Sequence, residues 1–272
     1  MSQPLLGKLV VAQMEHELKA AVAALSHPPA VGIIYVGSNP VIENFILMKQ
    51  RFAERIGVRL NVFRFAETIE TEALVAEVKN LSEKHHGIII QLPLPAHIPT
   101  EQILDTVPLL KDIDMLSVSA RRYIAEGHAE ILPAVAGAIR EFIERVPISI
   151  LGKKIVIVGQ GKLVGAPVKA WLKTQHIEPV VVGRETSDLK SVLETADVII
   201  SGAGSPGLIT RDMIKEGVIL FDAGTSEVEG KIEGDIAPDA YTKASYYTPV
   251  PGGIGPVTIA CLFKNLLKLM RM

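Results

Sequence analysis

The chain of 272 residues is long enough for two domains, and it carries 48% hydrophobic residues, 21% charged residues and a net charge of −2. That balance has no basic excess to favour nucleic acid, and no apolar run reaches the roughly 18 residues that a membrane span needs. A single cysteine, Cys261, excludes an intramolecular disulfide, and the start lacks the basic-then-apolar shape of a signal peptide, so a cytoplasmic protein is expected.

In chain order, residues 8–25 place Leu9, Val10, Met14, Leu18 and Val22 on one helical face, and Pro28 and Pro29 end the segment. Val31 to Val36 reads as a buried strand and Gly37-Ser38-Asn39-Pro40 as a turn. A helix follows from Val41 to Ile56, with Gly57 as its stop. Val58 to Phe65 alternates as a strand, Thr71 to Lys84 reads as a helix, and Gly87 to Leu92 is a third strand running into Pro93-Leu94-Pro95. This alternation implies a parallel sheet with helices on its faces. Residues 101–110 form a short helix before the charged turn Lys111-Asp112-Ile113-Asp114. A helix from about Val135 to Arg145 then leads into a second unit.

That unit opens with the short, β-branched run Ile155 to Val158, typical of a strand buried on both faces. Gly159, Gly161 and Gly165 follow at once, before a helical pattern through Val168, Trp171 and Leu172. Strand, glycine turn and helix start together make a place where backbone N–H groups and a helix dipole hold a pyrophosphate. The spacing is one residue longer than the common dinucleotide fingerprint, and a tight turn using glycine for geometry alone is the plainer alternative. Strands at Val180–Val182, Val198–Ile200 and Val218–Asp222 complete the unit, and a last helix, Val257 to Met272, returns to the first domain. The expected fold is α/β, with two α/β domains whose parallel sheets flank a cleft, the second a Rossmann-type NAD(P)-binding domain. The expected boundaries are 1–120, completed by 257–272, and 121–256.

Ligands of open parallel sheets bind beyond the carboxyl ends of the strands. Gly37–Pro40, Gln91–Pro95, Gly159–Gly165 and Asp222–Thr225 fall at such ends, and Pro249–Pro256 is glycine-rich enough for close backbone approach to a flat ligand. Lys49 lies on the second helix, Gln91 ends a buried strand and Asp114 sits in the charged turn. Taken singly, these are as readily a surface lysine, a partnered amide and a turn residue.

Several stretches carry a resemblance that covers nearly the whole chain. VGSNP begins at Val36, FILMK ends at Lys49, GIIIQLPLP begins at Gly87, and KDID begins at Lys111. GKKIVIVG at Gly152, GDI at Gly234 and TPVPGGIGPVTIA at Thr248 complete the set. With these motifs in this order, the sequence resembles the methylenetetrahydrofolate dehydrogenase/cyclohydrolase family. The resemblance implies reversible hydride transfer from methylenetetrahydrofolate to NADP, then hydrolysis of the methenyl product to 10-formyltetrahydrofolate in the same cleft. It implies a tetrahydrofolate derivative as substrate, no metal, and a homodimer. By resemblance Lys49 serves the hydrolytic proton transfers, Gln91 orients Lys49, and Asp114 holds the pterin ring. Phe45, Leu92, Met115, Pro251, Gly252 and Gly255 are the expected substrate-binding residues. Gly159, Gln160, Gly161, Gly165, Arg184, Thr225 and Thr258 are the expected cofactor-binding residues.

The sequence departs from the family pattern close to these positions. The usual tyrosine four residues before the lysine is Phe45, and a nearby serine is Ile42. The glycine after KDxD is Met115, the usual Cys-Thr-Pro is Ala134-Val135-Ala136, and an arginine and serine of the nucleotide turn are Gln160 and Gly161. Loss of the tyrosine hydroxyl removes a polar partner of Lys49 and bears on the hydrolytic step, whereas hydride transfer depends on positioning and survives it. Met115 adds bulk where the pterin is expected. After the second strand of the unit, Arg184 accommodates the phosphate of NADP, while Glu185 leaves NAD as the alternative. A non-catalytic paralogue that binds folate or nucleotide, and a dehydrogenase for another small substrate, stay open as alternatives.

Overall fold

A two-residue strand, β1 (Gln3–Pro4), precedes helix α1 (Gly7–Ala23), and the chain then alternates between strands and helices. There follow β2 (Ala30–Val36), α2 (Pro40–Ile56), β3 (Arg59–Phe65), α3 (Thr71–Lys84), β4 (Gly87–Ile90), α4 (Thr100–Thr106), α5 (Val118–Ala125) and α6 (Ala134–Arg145). Beyond them lie β5 (Ile155–Val158), α7 (Gly165–Thr174), β6 (Val180–Val182), α8 (Leu189–Leu193), β7 (Val198–Ser201) and β8 (Ile219–Asp222). The chain ends with β9 (Ser226–Val228), β10 (Lys231–Glu233), β11 (Tyr246–Tyr247) and α9 (Ile254–Leu269). This computed structural model describes residues 2–128, 130–146, 148–228 and 231–272. The chain divides into two units, one made of Ala12–Glu126 with Ile259–Met272, the other of Gly127–Thr258 with the segment ending at Val11.

The Ala12–Glu126 unit is built on a parallel three-stranded sheet in the order β3-β2-β4, with Val31 opposite both Leu60 and Gly87. Every residue of β2 and β4 is buried, as the unbroken apolar runs require, whereas the edge strand β3 alternates between exposed and half-buried positions. Helix α2 starts where the Asn39 side chain accepts hydrogen bonds from the Val41 and Ile42 N–H groups, and Gly57 ends it in a left-handed conformation. It buries Ile42, Ile46, Phe52, Ala53 and Ile56. Phe52 stacks on Phe263 of α9 at 5.6 Å, and the Asn265 amide donates to the Ile113 carbonyl at 2.9 Å. Gly87 permits this packing, since a Cβ there would stand 2.6 Å from Ile113. The Lys111–Asp114 turn is thereby pinned between β4 and the end of the chain.

In the Gly127–Thr258 unit, six strands form a wholly parallel sheet in the order β1-β11-β8-β7-β5-β6. Strand β6 lies on one side of β5 and β7 on the other, so the carboxyl end of β5 is the point where strand order reverses. Val156, Val158, Leu193, Ile199, Leu220 and Ile236 belong to its core. The antiparallel pair β9–β10 stands apart from this sheet.

The boundaries differ from the sequence expectation at several places. The third strand stops at Ile90, and residues 101–110 divide into α4 and a 3₁₀ turn over Leu109–Lys111, with Pro108 between them. Helix α5 was not anticipated; it starts where Ser117 Oγ accepts from the Ala120 N–H. The last helix begins at Ile254, three residues before the expected Val257.

Candidate active site

The Ala12–Glu126 unit brings Lys49, Gln91 and Asp114 together. Lys49 projects from the middle of α2, and its ammonium donates to Gln91 Oε1 at 2.6 Å. Gln91 immediately follows β4 and is 9% exposed, and its Nε2 donates to the Leu92 carbonyl at 2.9 Å. The amide is therefore fixed at both ends, with its oxygen turned to the lysine. Burial pushes the Lys49 amine below its ordinary pKa, and the neighbouring Asp114 carboxylate partly opposes that shift. Asp114, half-buried in its turn, is raised to about 6 by burial; the Lys49 charge pulls it down and the Asp112 charge pushes it up. A cation held by a neutral amide, beside a carboxyl that titrates close to neutrality, is an arrangement suited to proton transfer.

Phe45 precedes Lys49 by one helical turn and is 42% exposed. Ile42, a further turn back, is buried. Met115 is fully covered and has φ 58°, the left-handed conformation that glycine adopts without strain. Asp112 is buried and accepts from the Ser117 N–H at 2.9 Å, which locks the turn carrying Asp114 to the start of α5. In the sequence Asp112 stands only as part of a charged turn; an aspartate five residues before a serine able to cap a helix is its available signal.

In the Gly127–Thr258 unit the glycine turn joins β5 to α7. Gly159 has φ 99°, and a Cβ on Gly165 would overlap the Gly159 carbonyl, so turn and helix meet more closely than any side chain allows. Gly161 is exposed, with nothing within 4 Å of where its Cβ would be. Bare backbone at Gly161, ahead of the ten-residue α7 and at the reversal of strand order, fits a dinucleotide pyrophosphate. The Gln160 side chain lies over Gly183, with Nε2 3.4 Å from the position of a Cβ there. Arg184 and Glu185 are both exposed just beyond β6, and Thr186 Oγ1 accepts from the Gly183 N–H at 3.1 Å. Thr225 is exposed beyond β8, and Thr258 Oγ1 donates to the Gly255 carbonyl at 2.7 Å. Pro251, Gly252 and Gly255 are exposed, and the Gly252 carbonyl accepts from the Gly7 N–H at 2.8 Å.

Asp222 and Asp235, both fully covered at the carboxyl edge of this sheet, were not singled out as site residues from the sequence. Their sequence signals were the place of Asp222 at the head of the Asp222–Thr225 strand end and the GDI motif that contains Asp235. Among the described residues no cluster of three or more His, Cys, Asp or Glu side chains could hold a metal ion.

A parallel α/β unit with a glycine turn at its switch point, in one chain with a separate lysine–amide–carboxyl unit, defines a two-domain nucleotide-dependent class of α/β protein. Residues 5–114 match the family model for the tetrahydrofolate dehydrogenase/cyclohydrolase catalytic domain, and residues 133–272 match that family's NAD(P)-binding domain. The chain belongs to the tetrahydrofolate dehydrogenase/cyclohydrolase family. It is 36% identical to the bifunctional protein FolD of Nautilia profundicola over 269 residues, covering 96% of this chain and 95% of the relative. The crystal structure of FolD from Campylobacter jejuni, a methylenetetrahydrofolate dehydrogenase/cyclohydrolase, superposes with a TM-score of 0.94 at 34% identity, covering 97% of each chain. The Trypanosoma brucei enzyme, complexed with NADP cofactor and an inhibitor, gives 0.93 at 31% identity over 99% of this chain and 97% of its own.

Proposed function

We propose that the chain is an NADP-dependent 5,10-methylenetetrahydrofolate dehydrogenase of one-carbon metabolism, with a weakened methenyltetrahydrofolate cyclohydrolase activity. The observation that carries this reading is the Lys49 ammonium held 2.6 Å from Gln91 beside the Asp114 carboxyl, in a chain that matches both domains of the family.

Bound NADP would supply the hydride acceptor. The protein's own task in that step is to orient pterin and nicotinamide faces, which demands positioning rather than proton transfer. Hydrolysis asks more of Lys49. Its depressed pKa raises the neutral fraction at physiological pH, so the amine takes a proton from the attacking water and returns one to the departing ring nitrogen. Gln91 keeps the amine in place, and Asp114 hydrogen-bonds the pterin edge in either protonation state. Phe45 offers a ring face to the ligand but no hydroxyl to steady the lysine or the water, which is why the hydrolytic step is the weaker one. Leu92, Pro251, Gly252 and Gly255 are folate-binding residues in this reading. Gly159, Gln160, Gly161, Gly165, Arg184, Thr225 and Thr258 hold the nucleotide, Arg184 taking the 2′-phosphate.

In this reading Ala12–Glu126 with Ile259–Met272 form the folate-binding domain, and Gly127–Thr258 with the segment ending at Val11 the nucleotide domain, in place of the expected bounds 1–120 with 257–272 and 121–256. A homodimer and a cytoplasmic location belong to the same reading; family resemblance supports the first, and a lone buried cysteine suits a reducing compartment. Light scattering tests the dimer. The activity is tested by following reduced nicotinamide in the presence of methylenetetrahydrofolate and NADP. Reduction dependent on both substrates is expected; folded protein that binds both ligands without turnover would make it a non-catalytic paralogue.

A further inference from the structure

Two carboxylates at the edge of the nucleotide unit take no part in the steps above. Asp222 ends β8, Asp235 follows β10, and both are fully covered. Asp235 Oδ2 accepts from Ser201 Oγ and from the Ala203 N–H, and Oδ1 accepts from the Ser205 N–H, each at 2.7 Å. All three donors belong to the end of β7 and the loop that leaves it.

Asp222 holds Asp235 in turn. Its Oδ1 accepts from the N–H groups of Gly224 at 3.0 Å and Asp235 at 3.1 Å, and its Oδ2 accepts from the Ile236 N–H at 2.9 Å. Glycine at 224 and 234 makes room for the pair, since a Cβ at either would overlap the Asp235 or Asp222 carboxyl.

The braced loop lies directly against the nucleotide turn. A Cβ on Gly159 would stand 2.7 Å from the Gly202 carbonyl oxygen, and one on Gly202 would stand 2.5 Å from the Val164 side chain, just ahead of α7. The sheet secures the base of the loop through the Gly202 N–H and the Val158 carbonyl at 2.9 Å, while Ala203 and Ser205 give their N–H groups to Asp235. Any shift of this loop is therefore felt at Gly159 and Val164.

We propose that Asp235 is a positioning residue for the dinucleotide: its carboxylate fixes the 201–205 loop, and that loop fixes the Gly159–Gly165 turn. The inference rests on the reading that this turn binds NADP. A carboxylate is needed because both of its oxygens must accept. Asparagine of the same shape keeps one acceptor and turns an amide NH₂ toward donors, which forces the loop away.

The test is calorimetric titration of wild type, Asp235→Asn and the milder Ser201→Ala with NADP, and separately with tetrahydrofolate, with thermal midpoints recorded without ligand. Asp235→Asn is expected to raise the NADP dissociation constant by about tenfold or more, and Ser201→Ala by about threefold. Tetrahydrofolate affinity is expected to stay within about twofold, and the steady-state loss to fall on KM for NADP rather than on kcat. If Asp235→Asn fails to fold, Ser201→Ala decides the matter. Folded variants that bind NADP as wild type does, or that lose both ligands in parallel, would overturn the inference alone. Wild type that binds neither NADP nor NAD would overturn it together with the functional reading.

Discussion

The Lys49 ammonium and the Gln91 side-chain oxygen meet at 2.6 Å across 42 residues of sequence, one from the middle of α2 and the other from the end of β4. Because the Gln91 amide is also tied to the Leu92 carbonyl, the lysine's position is set by the sheet and not only by its own helix. Gln91→Ala frees the amine and leaves it short of a buried acceptor. Cyclohydrolase turnover is expected to fall by about 10- to 100-fold, less than the roughly 100- to 10,000-fold that a general acid–base group contributes because Lys49 itself remains, while the dehydrogenase rate falls less. Parallel assays of methenyltetrahydrofolate decay and NADPH formation check this split.

Phe45 lies one helical turn before Lys49 and is exposed. Phe45→Tyr restores a hydroxyl that bonds to the lysine or to the attacking water. One net hydrogen bond corresponds to about a three- to tenfold gain in cyclohydrolase rate, with little change in dehydrogenation. Equal gains in both activities would point instead to tighter folate binding.

Met115 sets two effects against each other. Its left-handed backbone costs about 1–2 kcal/mol that glycine would avoid, but its side chain is fully covered, and deleting a buried methionine costs about 2–5 kcal/mol. The cavity wins, so Met115→Gly is expected to destabilise the protein by about 1–3 kcal/mol in chemical denaturation. A gain in stability would mean that strain is the larger effect.

Much of the fold is legible in the sequence because buried parallel strands announce themselves. The runs Val31–Val36 and Ile155–Val158 have no polar face to confuse the pattern, and Asn39 and Gly57 mark the ends of α2 chemically. The unread elements are those whose partners define them. Strands β1 and β11 are two residues each and exist through pairing, β9 and β10 have no buried face, and α5 depends on a cap at Ser117. At the site, Lys49, Gln91 and Asp114 are individually unremarkable in sequence, and only family resemblance brought them together. Nothing in the spacing of Asp222 and Asp235 reveals that backbone N–H groups from several loops converge on them.

Two carboxyls raised by desolvation give stability a distinctive pH dependence. Asp114 and Asp222 both titrate at about 6 in the folded protein, against an ordinary 3.8, with burial as the main cause in each. Between these values the folded state binds more protons than the unfolded state, so both groups favour folding at low pH and that contribution is lost as pH rises from about 4 to 6. Asp114→Asn removes one ionisable group and is expected to flatten this part of the stability profile. An unchanged slope from pH 4 to 7 would show that Asp114 is not raised.

A working dehydrogenase coupled to a slow hydrolytic step leaves a direct spectroscopic mark: the absorbance of methenyltetrahydrofolate while the protein turns over methylenetetrahydrofolate with NADP, and in a parallel run with NAD. Methenyltetrahydrofolate is expected to accumulate, faster with NADP, and then to decay only slowly toward 10-formyltetrahydrofolate. Folded protein that forms none with either nucleotide would contradict the dehydrogenase, and product that forms but never accumulates would contradict the weakened hydrolysis.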